Sequence, residues 1–360
     1  MTIESRPLRV SFYTPMLQMG GAERWIFSLA RHFRCLQPDV LFYANHFQID
    51  DATYAEASSL FNRLEPIDVK SPDVEKHRDS ARASAAVVMW GWAPFPDVNK
   101  PIIYVSHSAD AMRSDHNLEF ADFVAAVSLT AVDALQESRR DECEVIYNGI
   151  EFDRITPRFG RQAVRHAWNI GDKKLILYFG RFHPVKQCKD VLSALRYLPD
   201  EYVAMFVGEG HESESIVKKA ERIAPDRVLM CSSSAHVGDF LAGADIVVLP
   251  SNSEACPLVA LEAWGAGVPL VSNDLPYLDE FERRHETQMA ERYTDDPSEM
   301  AKAITRAARW NAETRAALRG IVWSNYTASA MAAHWERWII ERIVWGVYHD
   351  RVYPAAKLLQ

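Results

Sequence analysis

Apolar and polar positions follow one another along this chain in two rhythms. Short apolar runs rich in β-branched and aromatic residues end in Gly, Pro, Asn or Ser, and most lead into stretches whose apolar residues recur every three or four positions. The first rhythm predicts strands covered on both faces, and the second amphipathic helices. Leu8 to Thr14 reads as a first strand. Gly20-Gly21 closes the loop after it, and a helix follows with Ala22, Ile26, Leu29, Ala30 and Phe33 on one face. Further strands are predicted at Val40–Ala44, Ile67–Lys70, Ala85–Trp90, Ile102–Ser106, Phe123–Val127 and Glu144–Tyr147. Glu151 to Asp172 breaks the rhythm with Pro157, Gly160 and Gly171 and reads as an interdomain linker.

The alternation then restarts. Strands are predicted at Lys174–Phe179, Tyr202–Val207, Arg227–Cys231, Asp245–Pro250 and Val268–Ser272, with helices at Asp190–Tyr197, Glu214–Arg222 and Val237–Ala242. A further helix opens at Cys256-Pro257, with proline at its first position, and ends at Gly265–Gly267. Beyond Ser272 the pattern blurs until a helix at Pro297–Trp310. The stretch Arg315–Tyr348 is strongly helical, and its tryptophan-rich face (Trp335, Trp338, Ile339, Arg342, Trp345) reads as packing on the protein itself ahead of the alternative, a membrane-contacting face. Repeated strand–helix alternation in both halves predicts α/β architecture with two doubly wound, Rossmann-like domains.

Composition narrows the partners. At 360 residues the chain has room for about two domains. A net charge of −9 argues against a nucleic-acid coat. Residues 1–155 carry 15 Lys and Arg against 23 Asp and Glu, which argues against a broad basic patch docking on anionic lipid. Five scattered cysteines fit a reducing compartment without disulfides or a zinc site. No signal-peptide pattern opens the chain, and no apolar run is long enough for a membrane span. The expected location is the cytoplasm, with peripheral attachment at the inner face of the membrane left open.

The candidate chemistry gathers around Pro257. A helix starting there leaves the N–H groups of Leu258 and Val259 without intrahelical acceptors, at the positive end of the helix dipole. That is an anion site suited to phosphate. Glu254 precedes it and Glu262 lies beyond it, and carboxylates are good acceptors for sugar hydroxyls. The combination suits a nucleotide diphosphate-sugar; from this stretch alone, an ordinary βαβ unit with two surface glutamates is an equal reading. Arg181 and Lys186 are cations on the loop after a strand. His107 follows another strand's carboxyl end, where ligands gather in open α/β sheets.

Taken together these pieces resemble glycosyltransferase family 4, retaining enzymes of the GT-B fold. The resemblance rests on Gly20-Gly21-Ala22-Glu23, Tyr147-Asn148-Gly149-Ile150-Glu151, Gly180-Arg181 with Lys186, and Val207-Gly208-Glu209-Gly210. It is completed by Glu254 and Glu262, with seven residues between them, within SEACPLVALEAWGAGVPLVS. It implies two domains facing across a cleft, with a terminal helix crossing back to the first. The boundaries would be 1–155 (acceptor-binding), 173–325 (donor-binding) and 326–360 (terminal helix). It also implies roles. Arg181 and Lys186 would neutralise the diphosphate. Amides near Cys256, Pro257, Leu258 and Val259 would hold phosphate and sugar. Glu262 would accept the ribose hydroxyls, and Glu254 would face the transferred sugar. Gly21 would let the backbone approach a substrate, and His107 would lie beside the sugar.

Three departures stand out. Ala255-Cys256 replaces the family's frequent Gly-Phe before proline, and Gln187 replaces a usual glycine after Lys186. The segment NDLPYLDEFERR lacks a common glycine pair, which weakens any ligand role for Asp279 or Glu280. The implied function is retaining transfer of a hexose-type sugar, from a UDP-sugar ahead of a GDP-sugar, to a hydroxyl of a glycan, glycolipid or small molecule. No metal or other cofactor is expected, and no Asp-x-Asp occurs in the chain. Alternatives are a sugar-nucleotide epimerase of the same fold, or a non-catalytic nucleotide-sugar-binding subunit. The first half holds few motifs for the acceptor; Gln48–Pro66 and the loop after His107 are the places to look.

Overall fold

The computed structural model describes residues 7–14, 17, 20–43, 51–61, 63–67, 79, 81–90, 101–110 and 118–352. Gly91-Trp92, most of the loop after His107 and part of Gln48–Pro66 lie outside the described residues, as do 44 and 68–70 at the ends of two predicted strands. The chain forms two compact units: residues 1–148 with 328–360, and residues 149–327.

The first unit runs β1 (Leu8–Thr14), α1 (Gly21–His32), β2 (Leu36–Tyr43), α2 (Asp51–Leu60), β3 (Leu64–Ile67), β4 (Ala86–Met89), β5 (Ile102–Ser106), β6 (Phe123–Ala126), α3 (Leu129–Asp133), α4 (Glu137–Arg140) and β7 (Glu144–Val145). Its seven strands lie in the order β3-β2-β1-β4-β5-β6-β7. All the pairs are parallel, with Val10 opposite Pro38 on one side and Ala86 on the other. Every residue of β4 and β5 is buried. This is why these strands read as unbroken apolar runs.

The second unit begins with α5 (Phe152–Ile155) and α6 (Arg161–Ala167). It continues with β8 (Lys174–Phe179), α7 (Lys189–Ala194), β9 (Tyr202–Val207), α8 (Ser213–Ile223), β10 (Val228–Cys231), α9 (Gly238–Gly243) and β11 (Ile246–Leu249). Then come α10 (Leu258–Ala266), β12 (Leu270–Asn273), α11 (Pro276–His285), β13 (Glu291–Tyr293), α12 (Pro297–Ala307) and α13 (Ala312–Asn325). Its six strands are ordered β10-β9-β8-β11-β12-β13, again all parallel. Strand order reverses at β1/β4 in the first unit and at β8/β11 in the second. The carboxyl ends at such a switch point are where an open sheet leaves room for a ligand.

Two sequence expectations change. Residues 151–172 are not a linker, because α5 and α6 are built into the second unit. Arg161 and Arg165 pair with Asp245, and Arg158 pairs with Asp239. Proline and glycine here bend the chain between two short helices, whose cations reach acids about eighty residues on. The long predicted tail helix is two helices, α13 and α14 (Ala328–Val352), broken at Tyr326-Thr327. There Thr327 forms a parallel bridge with Ile150, and Tyr326 O accepts the Ile150 N–H at 2.9 Å. Backbone committed to that pairing cannot continue a helix. Among the described residues no helix is long and apolar enough to cross a membrane.

Candidate functional site

In the second unit the site is built at the β8/β11 switch point. Apart from Glu262, helix α10 is apolar around its circumference and sits in the core, with Ala260, Leu261, Ala263 and Trp264 buried. The Trp264 indole donates to the Met289 carbonyl at 2.7 Å. Pro257 is the N-cap, at φ −70° and ψ 121°, and not the first helical residue as its chemistry predicts. With that extended ψ Pro257 lies outside the helix, and the first turn starts one residue later. The Pro257 carbonyl accepts from Ala260 N at 3.1 Å and Leu261 N at 3.3 Å. The N–H groups of Leu258 and Val259 precede these bonds and point out of the helix start. The left-handed Gly267 ends the helix.

Two loops meet beside this helix start. After β8, Pro184–Lys186 forms a single 3₁₀ turn, with His183 Nδ1 accepting from Val185 N. After β11, Asn252 N donates to Val185 O at 3.1 Å, joining the two loops through backbone. This fixes Lys186 Nζ at 2.6 Å from Glu254 Oε1, an ion pair whose side chains are only 26% and 10% exposed. Arg181, on the same loop, is half-buried, and its carbonyl accepts from the Tyr178 hydroxyl at 2.9 Å. Gln187, which replaces the family's glycine, closes the turn in the left-handed region at φ 44°. A glycine-type conformation is thus kept without glycine.

Glycines at Gly208 and Gly210 have a packing reason. Both have φ near +150°, and an added Cβ would strike the carbonyls of Gly180 and Phe182 respectively. The β9 loop passes directly against the Arg181 loop, and the glycines permit that approach.

Glu262 is buried within α10 and pairs with Arg154 Nε at 2.6 Å. Arg154 was invisible as a site residue in the sequence. It stands 108 positions away on the supposed linker, and the only signal was a cation placed soon after the Asn148-Gly149 turn. Cys256 and Pro257 are buried, while Leu258 and Val259 are partly exposed. Asp279 is engaged by Arg292, and Glu280 is buried.

In the first unit Gly21 opens α1, and the space where a Cβ would stand is open to 4 Å. His107 follows β5. Its ring meets the edges of Trp25 at 4.8 Å and Trp90 at 5.6 Å between centroids. Its Nε2 is buried and has no hydrogen-bond partner among the described residues, although the residue keeps some exposure. Burial pushes its pKa down to about 3, so the imidazole is neutral near pH 7. Among the described residues no cluster of His, Cys, Asp or Glu is placed to hold a metal ion.

Residues 160–319 match the family described as glycosyl transferases group 1. This segment is similar to the group 1 glycosyl transferases. The resemblance to glycosyltransferase family 4 drawn from the motifs is borne out. Over 160 residues the chain is 28% identical to the N-acetyl-alpha-D-glucosaminyl L-malate synthase of Bacillus anthracis, covering 43% of this chain and 42% of that protein. Over 261 residues it is 25% identical to the putative teichuronic acid biosynthesis glycosyltransferase TuaC of Bacillus subtilis, covering 69% and 64%. The chain thus spans less than two thirds of the length of these relatives. Among solved structures, Anabaena HepE in complex with UDP-glucose superposes with a TM-score of 0.75 at 17% identity, covering 94% of this chain and 99% of HepE. A glycosyltransferase from Rickettsia africae gives 0.72 at 13%, with 94% and 99% covered. At these identities the likeness shows the fold, which is GT-B. The matched segment holds Arg181, Lys186, Glu254, Glu262 and the start of α10. Arg154, outside the matched residues, joins them from α5.

Proposed function

We propose that the protein is a retaining, metal-independent hexosyltransferase. It takes its sugar from a nucleotide diphosphate-sugar, with UDP ahead of GDP, and delivers it to a hydroxyl of a glycan, glycolipid or small molecule. The observation that supports this most is the Lys186–Glu254 pair, held at 2.6 Å beside a helix start with outward-pointing amides. A cation, two amides and an acid in one place fit a ligand that is anionic at one end and hydroxylated at the other.

In this reading the diphosphate docks at the Leu258 and Val259 amides, with Arg181 and Lys186 countering its charge. The bond between the anomeric carbon and the diphosphate oxygen breaks, and that oxygen gains charge which the cations and amides stabilise. The acceptor hydroxyl forms its bond on the same face and gives its proton to the departing diphosphate oxygen. Configuration is retained without a protein nucleophile. Glu254, released from Lys186 as the phosphate arrives, supports the positive charge developing on the sugar. Glu262 accepts ribose hydroxyls. His107 offers a neutral imidazole to the sugar, and Gly21 offers backbone to a substrate.

The test is release of nucleoside diphosphate from UDP- and GDP-sugars, with and without acceptor alcohols. The product's anomeric configuration is then read by NMR. Lys186→Ala and Glu254→Gln are expected to lower kcat about 10²- to 10³-fold. Folded variants at full rate, or release that never depends on an acceptor, would defeat the reading.

A further inference from the structure

We propose that Arg154 is a positioning residue for the nucleoside end of the donor site: it sets Glu262 to receive a ribose hydroxyl and fixes the loop after β10 beside it. The inference rests on the donor reading above and extends it to a residue outside the matched family segment.

Three acceptors share one guanidinium. Arg154 Nε donates to Glu262 Oε1 at 2.6 Å. Its Nη1 donates to the Ser234 carbonyl at 3.1 Å, and also to the Ala235 carbonyl. The planar fork spans helix α10 and the loop between β10 and α9, which a single ammonium could not do with the same geometry. The loop is also tied back to α5: Val237 N donates to Arg154 O at 2.9 Å, and the His236 ring lies 2.9 Å from Thr156 O.

The geometry has a chemical consequence. Glu262 is only 5% exposed at its side chain, and Arg154 is 18% exposed. A carboxylate so buried needs a charge partner. Arg154 supplies it through one oxygen, Oε1, which leaves Oε2 as the acceptor for an incoming hydroxyl. The carboxylate plane is fixed before the ligand arrives, and that preorganisation allows a hydroxyl to be discriminated from a hydrogen. A merely structural staple would support stability without any influence on which nucleoside binds.

The test measures Kd by calorimetry for UDP, UMP, 2′-deoxy-UDP and 3′-deoxy-UDP, with the GDP series in parallel. The proteins are wild type, Glu262→Gln, Arg154→Lys and Arg154→Gln. Circular dichroism and thermal melts confirm folding. In wild type at least one deoxy analogue should bind about tenfold more weakly than its parent, as expected for a lost bond to a charged acceptor. Both Glu262→Gln and Arg154→Lys should bring that ratio to within about threefold of unity, while the UDP-to-UMP ratio stays as in wild type. If Glu262→Gln loses the discrimination and Arg154→Lys keeps it, the positioning role is overturned and the donor reading stands. If wild type does not discriminate, or Glu262→Gln still does, the ribose role of Glu262 fails and this inference falls with it. If neither Arg154 variant folds, the guanidinium is structural and the proposal is overturned.

Discussion

At the scale of single residues, Gln187 and His107 each sit in a state that their side chains oppose. Gln187 holds φ 44° and ψ 29° at the end of the Lys186 turn. The left-handed region costs a residue with a Cβ about 1–2 kcal/mol, and glycine escapes that cost at some expense in chain entropy. Gln187→Gly is therefore expected to stabilise the protein by about 0.5–1 kcal/mol. A urea midpoint that does not rise would show that the Gln187 side chain makes up the difference. His107 is opposed by burial. Its pKa falls to about 3, whereas an unfolded histidine titrates near 6.5. Below about pH 6.5 the unfolded chain takes up a proton that the folded ring refuses, so stability drops as pH falls through that window and is whole above it. His107→Phe should lose less stability than wild type between pH 7 and pH 4. The His107 ring resonances should show no titration between pH 5 and pH 8.

At the scale of elements, the site depends on two loops passing at backbone contact. An added Cβ at Gly208 or Gly210 would meet the carbonyl of Gly180 or Phe182, at a φ that non-glycine residues rarely adopt. Gly208→Ala and Gly210→Ala should each cost about 3 kcal/mol or more, and should displace the Arg181 loop. Donor affinity would fall along with thermal stability; a variant with wild-type melting would refute the packing account. These glycines also show why much of this unit was legible in the sequence. Parallel strands buried on both faces write continuous apolar runs, and the loops at their carboxyl ends are written in Gly, Pro and charge. Helix α11 and strand β13 were not legible. Glu291–Tyr293 is a three-residue edge strand with one buried residue, and Pro276–His285 is dominated by charge. Arg154 escaped for a different reason. Its partners are set by the packing of α5 on the second unit, and no local periodicity encodes a contact across 108 residues.

At the scale of the whole chain, the last helix completes the first unit's core. The Glu336 carboxylate on α14 accepts the N–H groups of Arg34, Cys35 and Leu36 at 2.8, 2.6 and 2.9 Å through one oxygen. Those amides run from the turn after α1 into the first residue of β2, so one carboxylate ties that turn to α14. One residue earlier, fully buried Trp335 meets Trp25 of α1 edge to face at 5.1 Å. Contacts between residues some 300 positions apart mean that the first unit is finished only when α14 docks. Such contacts carry a loop-closure cost that local helices avoid, so their loss should open one region and not the whole protein. Trp335→Ala should cost about 3–5 kcal/mol as a buried aromatic deletion, and Glu336→Gln about 1.5–3 kcal/mol through loss of charge-assisted bonds. Because two units need not unfold together, a single melting temperature is the wrong readout. Amide hydrogen exchange separates them. Both variants should speed exchange in β1, α1 and β2 while β8 and β9 keep their wild-type protection. Uniform acceleration across both sheets would mean instead that the two units share one unfolding transition.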